Sequence, residues 1–313
     1  MGYRLRYRLK WFRQRRGFGA RAITLLAVTG ILAFLSGCNQ QVNEDPIKKL
    51  FPPPSNGISI GQPDYAPLRK QVEDYIATKN AKYGIYFKDL NSSAAFGINE
   101  TTPMKAASTN KVLTVLYLNQ RIVDGKLSWW NRVTYHGNLD YSSEGGILQV
   151  DAEEGQSYSL RVLANLSITL SDNIAHNMLF RYLGKDNIAR YMESLGGQTV
   201  YPGGQNLTTA RDLGVYMQAV WDFAKKNPEP GNRLIDDLAN TIWDYGLPGL
   251  IPDQVQVAHK EGQIRAVAND YGIVYGLRPF ILAVLSDGIL DINQGFSYIA
   301  EISKMIYDYQ QKL

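Results

Sequence analysis

The sequence holds a single cysteine, Cys38, in 313 residues. No internal disulfide can form, so a fold must be held by its core. Its three histidines, His136, His176 and His259, lie far apart and lack metal-ligand spacing, so they read as structural groups and no metal site is expected. With 28 Gly and 13 Pro, and with 45% hydrophobic and 20% charged residues, the composition excludes collagen-like, low-complexity and wholly disordered chains. Acid is missing from the first 21 residues, which carry eight Lys or Arg. Removing those eight from the 33 basic residues leaves 25 against 29 acidic ones, a balance of −4, so the basic character belongs to a leader. A nucleic-acid binder needs positive charge on its folded part and is excluded. Long apolar runs are also scarce. Only one exists, which excludes a multi-pass membrane protein, and no repeat of solenoid or propeller period is present.

That run, Ala22 to Leu35, is about 14 residues long against the roughly 20 needed to cross a bilayer. Behind a basic stretch from Arg4 to Arg21 it reads as a signal-peptide core. It ends in Leu35-Ser36-Gly37-Cys38, which resembles the bacterial lipobox. The resemblance implies a signal peptide over 1–37, lipid attachment to Cys38 and a mature chain starting there. The alternative makes Cys38 a small apolar residue in a membrane-anchoring helix; both readings place the domain outside the cytoplasm. Residues 38–66 are polar, with Pro52-Pro53-Pro54 and Gly61-Gln62-Pro63, a composition suited to an extended tether. The remainder, 67–313, is one catalytic-sized unit.

Apolar spacing predicts a helix over Leu68–Thr78, then a hairpin of Tyr83–Lys88 and Ala94–Ile98 around Asp89-Leu90-Asn91-Ser92. Helical patterns follow over Ser108–Val123, Ser159–Thr169, Asn173–Tyr182, Asp186–Ser194, Thr209–Ala224 and Arg233–Trp243. Strand-like runs Gln254–His259, Asp270–Tyr275 and Phe280–Leu285 precede a last helix, Asn293–Tyr309. Strands at both ends with helices between imply an α/β protein of α+β type: one antiparallel sheet built from both termini, flanked by helices, with an inserted all-helical lobe. A groove between the lobes is the default site.

Three short motifs carry chemistry. In Ser108-Thr109-Asn110-Lys111 the lysine lies one helical turn from the serine on the same face. A serine hydroxyl is a weak nucleophile without a base, and a lysine lowered in pKa by burial or neighbouring cations can be that base. The same pattern is common as a helix cap with a solvated lysine. Ser171-Asp172-Asn173 ends one helix and starts another, where those residue types also serve as caps. Lys260-Glu261-Gly262 follows an apolar run, and its glycine allows a substrate backbone to approach closely.

In this order, with about 60 and about 90 residues between them, the three motifs resemble the S-x-x-K, S-D-N and K-T-G set of class A β-lactamases and penicillin-binding proteins. The resemblance spans Leu68 to the C-terminus. It implies an acyl-enzyme on Ser108 formed from β-lactams or D-Ala-type peptidoglycan peptides, with Lys111 accepting the proton. Ser171 would relay a proton to the leaving nitrogen, Asn173 would orient the substrate amide, and Lys260 would supply positive charge beside the substrate carboxylate. The backbone N–H groups of Ser108 and of Gln263, after Gly262, would form an oxyanion hole. No cofactor is implied, and the expected partners are the substrate and, through lipid on Cys38, a membrane, with the protein a monomer.

Two departures stand out. Hydrolytic family members carry a loop glutamate that activates water, but here the loop Gly196–Leu207 has no acid. Asp186 and Glu193, the only acids between Asn173 and Thr209, read as a solvated helix face. Slow deacylation follows. Second, Glu261 replaces the hydroxyl of K-T-G and would repel a substrate carboxylate unless it turns away or pairs with Lys260 or Arg265; a substitute base is the other reading. The alternatives to a slow acyl-enzyme are an efficient β-lactamase with a replacement base and a non-catalytic wall-binding or sensor lipoprotein. Tyr141 and Glu144 sit in a segment that reads as a turn, at a place where the family overhangs its cleft. Trp129, Trp130, Trp221 and Trp243 read as packing residues.

Overall fold

The computed structural model describes residues 63–313. Cys38, the expected signal peptide and most of the expected tether lie outside the described residues.

Helix α1 (Ala66–Ala77) opens with Pro67, whose missing N–H costs nothing in a first turn, and buries Leu68 and Val72. Strands β1 (Lys82–Asp89) and β2 (Ala95–Ile98) form the expected hairpin. After the short strand Met104–Lys105 and a 3₁₀ turn, Ala107–Asn110, helix α2 (Lys111–Val123) runs through the interior. The helical lobe continues with α3 (Leu160–Thr169), α4 (Asn173–Leu183), α5 (Lys185–Ser194), α6 (Ala210–Lys226) and α7 (Pro228–Ala239). Strands β3 (Val257–Ile264), β4 (Val267–Val274) and β5 (Phe280–Asp287) and helix α8 (Ile292–Gln310) complete the chain.

The five strands form one antiparallel sheet in the order β2-β1-β5-β4-β3, so strands from both termini meet at the β1–β5 pair. The central strand β5 is buried on both faces and its side chains alternate. Phe280, Leu282 and Val284 pack with Leu68, Val72, Phe296 and Ile299 beneath the terminal helices. Ile281, Ala283 and Leu285 pack with the helical lobe through Leu213, Tyr216 and Met217. Two cores, one on each face, therefore fix the sheet as a platform, and β3 is its edge.

Several features differ from expectation. Tyr65, read as tether, is buried, and its hydroxyl lies 2.9 Å from Asp89 Oδ2 and 2.7 Å from Gln310 Oε1, so the folded unit begins before Pro67. The strand expected over Gln254–His259 runs instead from Val257 to Ile264, because its pairing with β4 extends through Ile264↔Val267. The polar run Lys260 to Gln263 lies on a sheet edge, which hides its strand character from an apolar count. The helix expected from Arg233 begins at Pro228, again a proline in a first turn. Trp130 is 79% exposed rather than packed; Trp129 takes the inward position and lies under the guanidinium groups of Arg161 and Arg233.

Candidate active site

Ser108 is half-buried in the 3₁₀ turn that enters α2, and this turn is held from three directions. Thr109 Oγ1 donates to Ala106 O (2.8 Å) within the turn. From β4, Asn269 Nδ2 donates to Lys105 O (2.8 Å) and Ala106 O (3.3 Å), and the Tyr271 hydroxyl donates to Thr109 O (3.1 Å). From the loop before α6, Asn206 Nδ2 donates to Ala107 O (2.9 Å), while its Oδ1 accepts from Asn110 Nδ2 (2.8 Å). These bonds hold Ala107 at φ +52°, a left-handed conformation that a non-glycine residue adopts only when its surroundings impose it.

Lys111, the first residue of α2, is buried. Its Nζ donates to Ser171 O (2.6 Å), Asn173 Oδ1 (2.6 Å) and, at 3.3 Å, Ser171 Oγ. Burial pushes its pKa down to about 7, the ammonium of Lys260 adds to the fall, and the carboxylates of Glu261 and Asp172 oppose it. Ser171 sits at φ +55°, which turns its carbonyl and its hydroxyl toward these two lysines. Lys260 is fully buried on β3, and its Nζ donates to Ser171 Oγ at 2.9 Å. Burial likewise lowers the pKa of Lys260, against the pull of Glu261. The Ser171 hydroxyl thus bridges the two amines.

Asp172 and Asn173 do more than cap α4. Asp172 accepts from Ala175 N (2.8 Å), as an N-cap does, and also from Ile147 N (2.7 Å) and Leu148 N (2.9 Å). Asn173 Nδ2 donates to Glu144 O (2.6 Å). The segment 144–148 is thereby fixed beside Ser171, with Glu144 contributing its carbonyl and Tyr141 left 59% exposed.

Gly262 sets the distance between β3 and the Ser108 turn. A Cβ there would lie 2.8 Å from Ala106 O and 3.0 Å from Ser108 N, so only glycine lets the strand approach this closely. Gln263 follows on the exposed end of the edge strand, where peptide groups not paired with β4 remain free to bind. Glu261 does not turn outward. It is 2% exposed, and its Oε1 accepts from Lys260 Nζ at 2.5 Å. Asp186 and Glu193 are exposed on α5, and the loop 196–207 brings Asn206 rather than an acid to the Ser108 turn.

The structure therefore draws Lys111, Ser171, Asn173, Lys260 and Glu261 into one bonded cluster and sets Gly262 against the turn of Ser108. His259 Nδ1 pairs with buried Asp270 (2.9 Å), and His176 is kept neutral, its pKa lowered to about 3 by burial and the two lysines. Among the described residues no group of His, Cys, Asp or Glu is arranged to hold a metal ion. Sequence reasoning missed Asn206, Asn269 and Tyr271 as supports of the Ser108 turn, since no local pattern marks bonds made 96 to 164 residues away.

An antiparallel five-stranded sheet with helices on both faces and this cluster between sheet and helical lobe defines a β-lactamase/transpeptidase-like fold, and solved structures agree. PBP-A superposes with a TM-score of 0.74 at 26% identity, covering 79% of this chain and 97% of that one. A PBP-A variant solved as an acyl-enzyme complex with penicillin G gives the same score and identity over 80% and 99%. A β-lactamase from Sphaerobacter thermophilus, at 21% identity, shares the fold with a TM-score of 0.70 over 80% and 98%. Residues 67–310 match the model of the Beta-lactamase enzyme family, and the chain belongs to that family. It is 27% identical over 319 residues to a β-lactamase of Bacillus licheniformis, covering 95% of this chain and 96% of that one. It is 25% identical over 249 residues to β-lactamase 3 of Bacillus cereus, covering 73% and 77%. The protein is a serine hydrolase of the β-lactamase and penicillin-binding superfamily.

Proposed function

We propose that Ser108 is the residue acylated, by β-lactams or D-Ala-type cell-wall peptides, and that the acyl group leaves slowly. The observation that carries this reading is the Ser171 hydroxyl, held by Lys260 Nζ at 2.9 Å and at 3.3 Å by Nζ of Lys111, which follows Ser108 by three residues. Lys111, half neutral near pH 7, accepts the Ser108 proton as Oγ attacks the carbonyl. Ser171 passes a proton to the leaving atom, and Lys260 fixes the orientation of the Ser171 hydroxyl. The N–H groups of Ser108 and Gln263 receive the oxyanion, a role whose single donors are typically worth on the order of 10²–10³ in rate. The support for that placement is the close packing of Gly262 on the Ser108 backbone.

Release of the acyl group needs a base for water. The buried carboxylate in this cluster, Glu261, is occupied by Lys260, and the loop before α6 offers Asn206 instead of an acid. Without general-base help, deacylation forgoes a factor of about 10²–10⁴. The basic leader and the lipobox-like Leu35-Ser36-Gly37-Cys38 support export and anchoring to the bacterial membrane through lipid on Cys38, where cell-wall peptides are within reach.

Incubation with a fluorescent penicillin, followed by intact-mass measurement over time, tests the reading. The expected result is an adduct on Ser108 that persists, and that is absent from the Ser108→Ala variant. Labelling of that variant removes Ser108 from the mechanism; an adduct that turns over rapidly favours an efficient β-lactamase, and no adduct favours a non-catalytic wall binder.

A further inference from the structure

The ammonium of Lys260 has no donor to spare. A lysine offers three N–H bonds, and Lys260 Nζ directs them at Ser171 Oγ (2.9 Å), Glu261 Oε1 (2.5 Å) and Glu261 O (3.2 Å). Its charge is matched inside the protein by a carboxylate that is itself buried. The second oxygen of that carboxylate, Glu261 Oε2, is buried and has no hydrogen-bond partner among the described residues. A buried carboxylate oxygen only accepts, and leaving it unmatched is unfavourable. The cluster therefore presents a spare acceptor, and no unmatched ammonium on Lys260, where an anionic ligand would need a free cation.

We infer that Glu261 sets the specificity of this site against acyl donors with a carboxylate on the leaving group, in favour of donors that carry a neutral N–H group there, such as a carboxamide. The inference rests on the proposed acylation of Ser108, because only then does the leaving group pass beside Ser171 and Lys260. A substrate carboxylate would find the three donors of Lys260 taken and its charge already matched by Glu261. A carboxamide N–H would instead supply the donor that Glu261 Oε2 lacks, once a small movement of the side chain uncovers that oxygen. Peptides whose terminal carboxyl is amidated, or is itself in an amide linkage, meet this requirement.

A matched pair of thioester donors reads the preference directly: one acyl group, joined either to mercaptoacetate or to mercaptoacetamide. In both, Ser108 Oγ forms the new acyl–oxygen bond, the carbon–sulfur bond breaks, and the serine proton ends on the departing thiol. Intact mass reports the Ser108 adduct and a chromogenic thiol reagent reports release. Wild-type protein is expected to prefer the carboxamide donor by tenfold or more in the acylation rate constant over KM. In Glu261→Thr the ratio is expected to move at least tenfold toward the carboxylate donor. Glu261→Gln, which keeps the shape and removes the charge, supplies the same readout should the threonine variant fail to fold. Adducts from both donors with no carboxamide preference, or a ratio that both variants leave unchanged, overturn this inference and leave the acylation reading standing. No Ser108 adduct from either donor or from penicillin overturns the acylation reading, and this inference falls with it.

Discussion

The rate of Ser108 acylation is expected to rise with pH through neutrality and to level off above about pH 7, because only neutral Lys111 can accept the serine proton. An ordinary lysine, with pKa near 10.5, is neutral in roughly three molecules in 10⁴ at pH 7. Lys111, lowered to about 7 by burial and by Lys260, is neutral in about half, so the competent population is roughly 10³ larger. The sign follows from the charge: depressing a lysine pKa removes a proton from the folded protein, so acid restores the proton and suppresses the reaction. From pH 7 to pH 5 the acylation rate should fall by roughly 50-fold. Glu261 and Asp172 hold the Lys111 pKa up against burial, so Glu261→Thr is expected to shift the midpoint to lower pH. Stopped-flow acylation by a fluorescent penicillin in excess, between pH 5 and 9, measures this limb. A midpoint above pH 9, or a wild-type midpoint that Glu261→Thr leaves in place, would refute the assignment of Lys111 as the base.

Two further outcomes follow from packing. Gly262→Ala forces a Cβ to within 2.8 Å of Ala106 O and 3.0 Å of Ser108 N, so the strand or the turn must shift by some tenths of an ångström. Acylation is expected to drop tenfold or more, since small misplacement of reacting groups is expensive, while stability falls by only about 1–3 kcal/mol; unchanged acylation would show that β3 does not set the Ser108 geometry. Asp140 is fully buried, accepts from Arg181 Nε and Nη2 (2.8 Å each) and accepts from His136 N (2.9 Å). Asp140→Ala strands the guanidinium and should cost about 3 kcal/mol, measured by denaturant unfolding; a loss below 1 kcal/mol would mean that Arg181 finds solvent instead.

Much of this architecture was legible along the chain. The hairpin, the helical middle and the closing helix follow from apolar period and turn residues, and the topology follows from strands at both ends. Ser108, Lys111, Ser171, Asn173 and Lys260 stood out because their residue types recur in a known order and spacing. The position of Lys260 within a strand did not, since a polar run on an edge carries no alternating apolar signal. Nor did the partner of Glu261. Composition left an outward turn, Lys260 or Arg265 open, and only the fold's burial of Lys260 decides among them, because a buried ammonium needs a counter-charge that an exposed one does not. The Lys111 pKa is equally invisible in sequence, being set by desolvation and by a second lysine 149 positions away.

The two strained residues of the cluster show how the site differs from a pair of helix caps. Ala107 and Ser171 both adopt left-handed backbone, at φ +52° and +55°, and each such residue costs on the order of 1–3 kcal/mol unless its surroundings impose it. Neither position needs this conformation to start a helix: Asp172 already caps α4, and a regular turn would carry α2. At Ala107 the strain is held by Asn206 from one side and, through the adjoining Ala106 carbonyl, by Asn269 from the other. At Ser171 it is held by the Lys111 ammonium on the carbonyl and the Lys260 ammonium on the hydroxyl. Relaxing either residue would break bonds drawn from the sheet, the loop or the facing helix, so the cost is distributed over the lobes that meet there. What those bonds secure is the Ser171 hydroxyl held between the amines of Lys260 and Lys111, the arrangement that the proposed relay of a proton from Lys111 through Ser171 to the leaving atom requires.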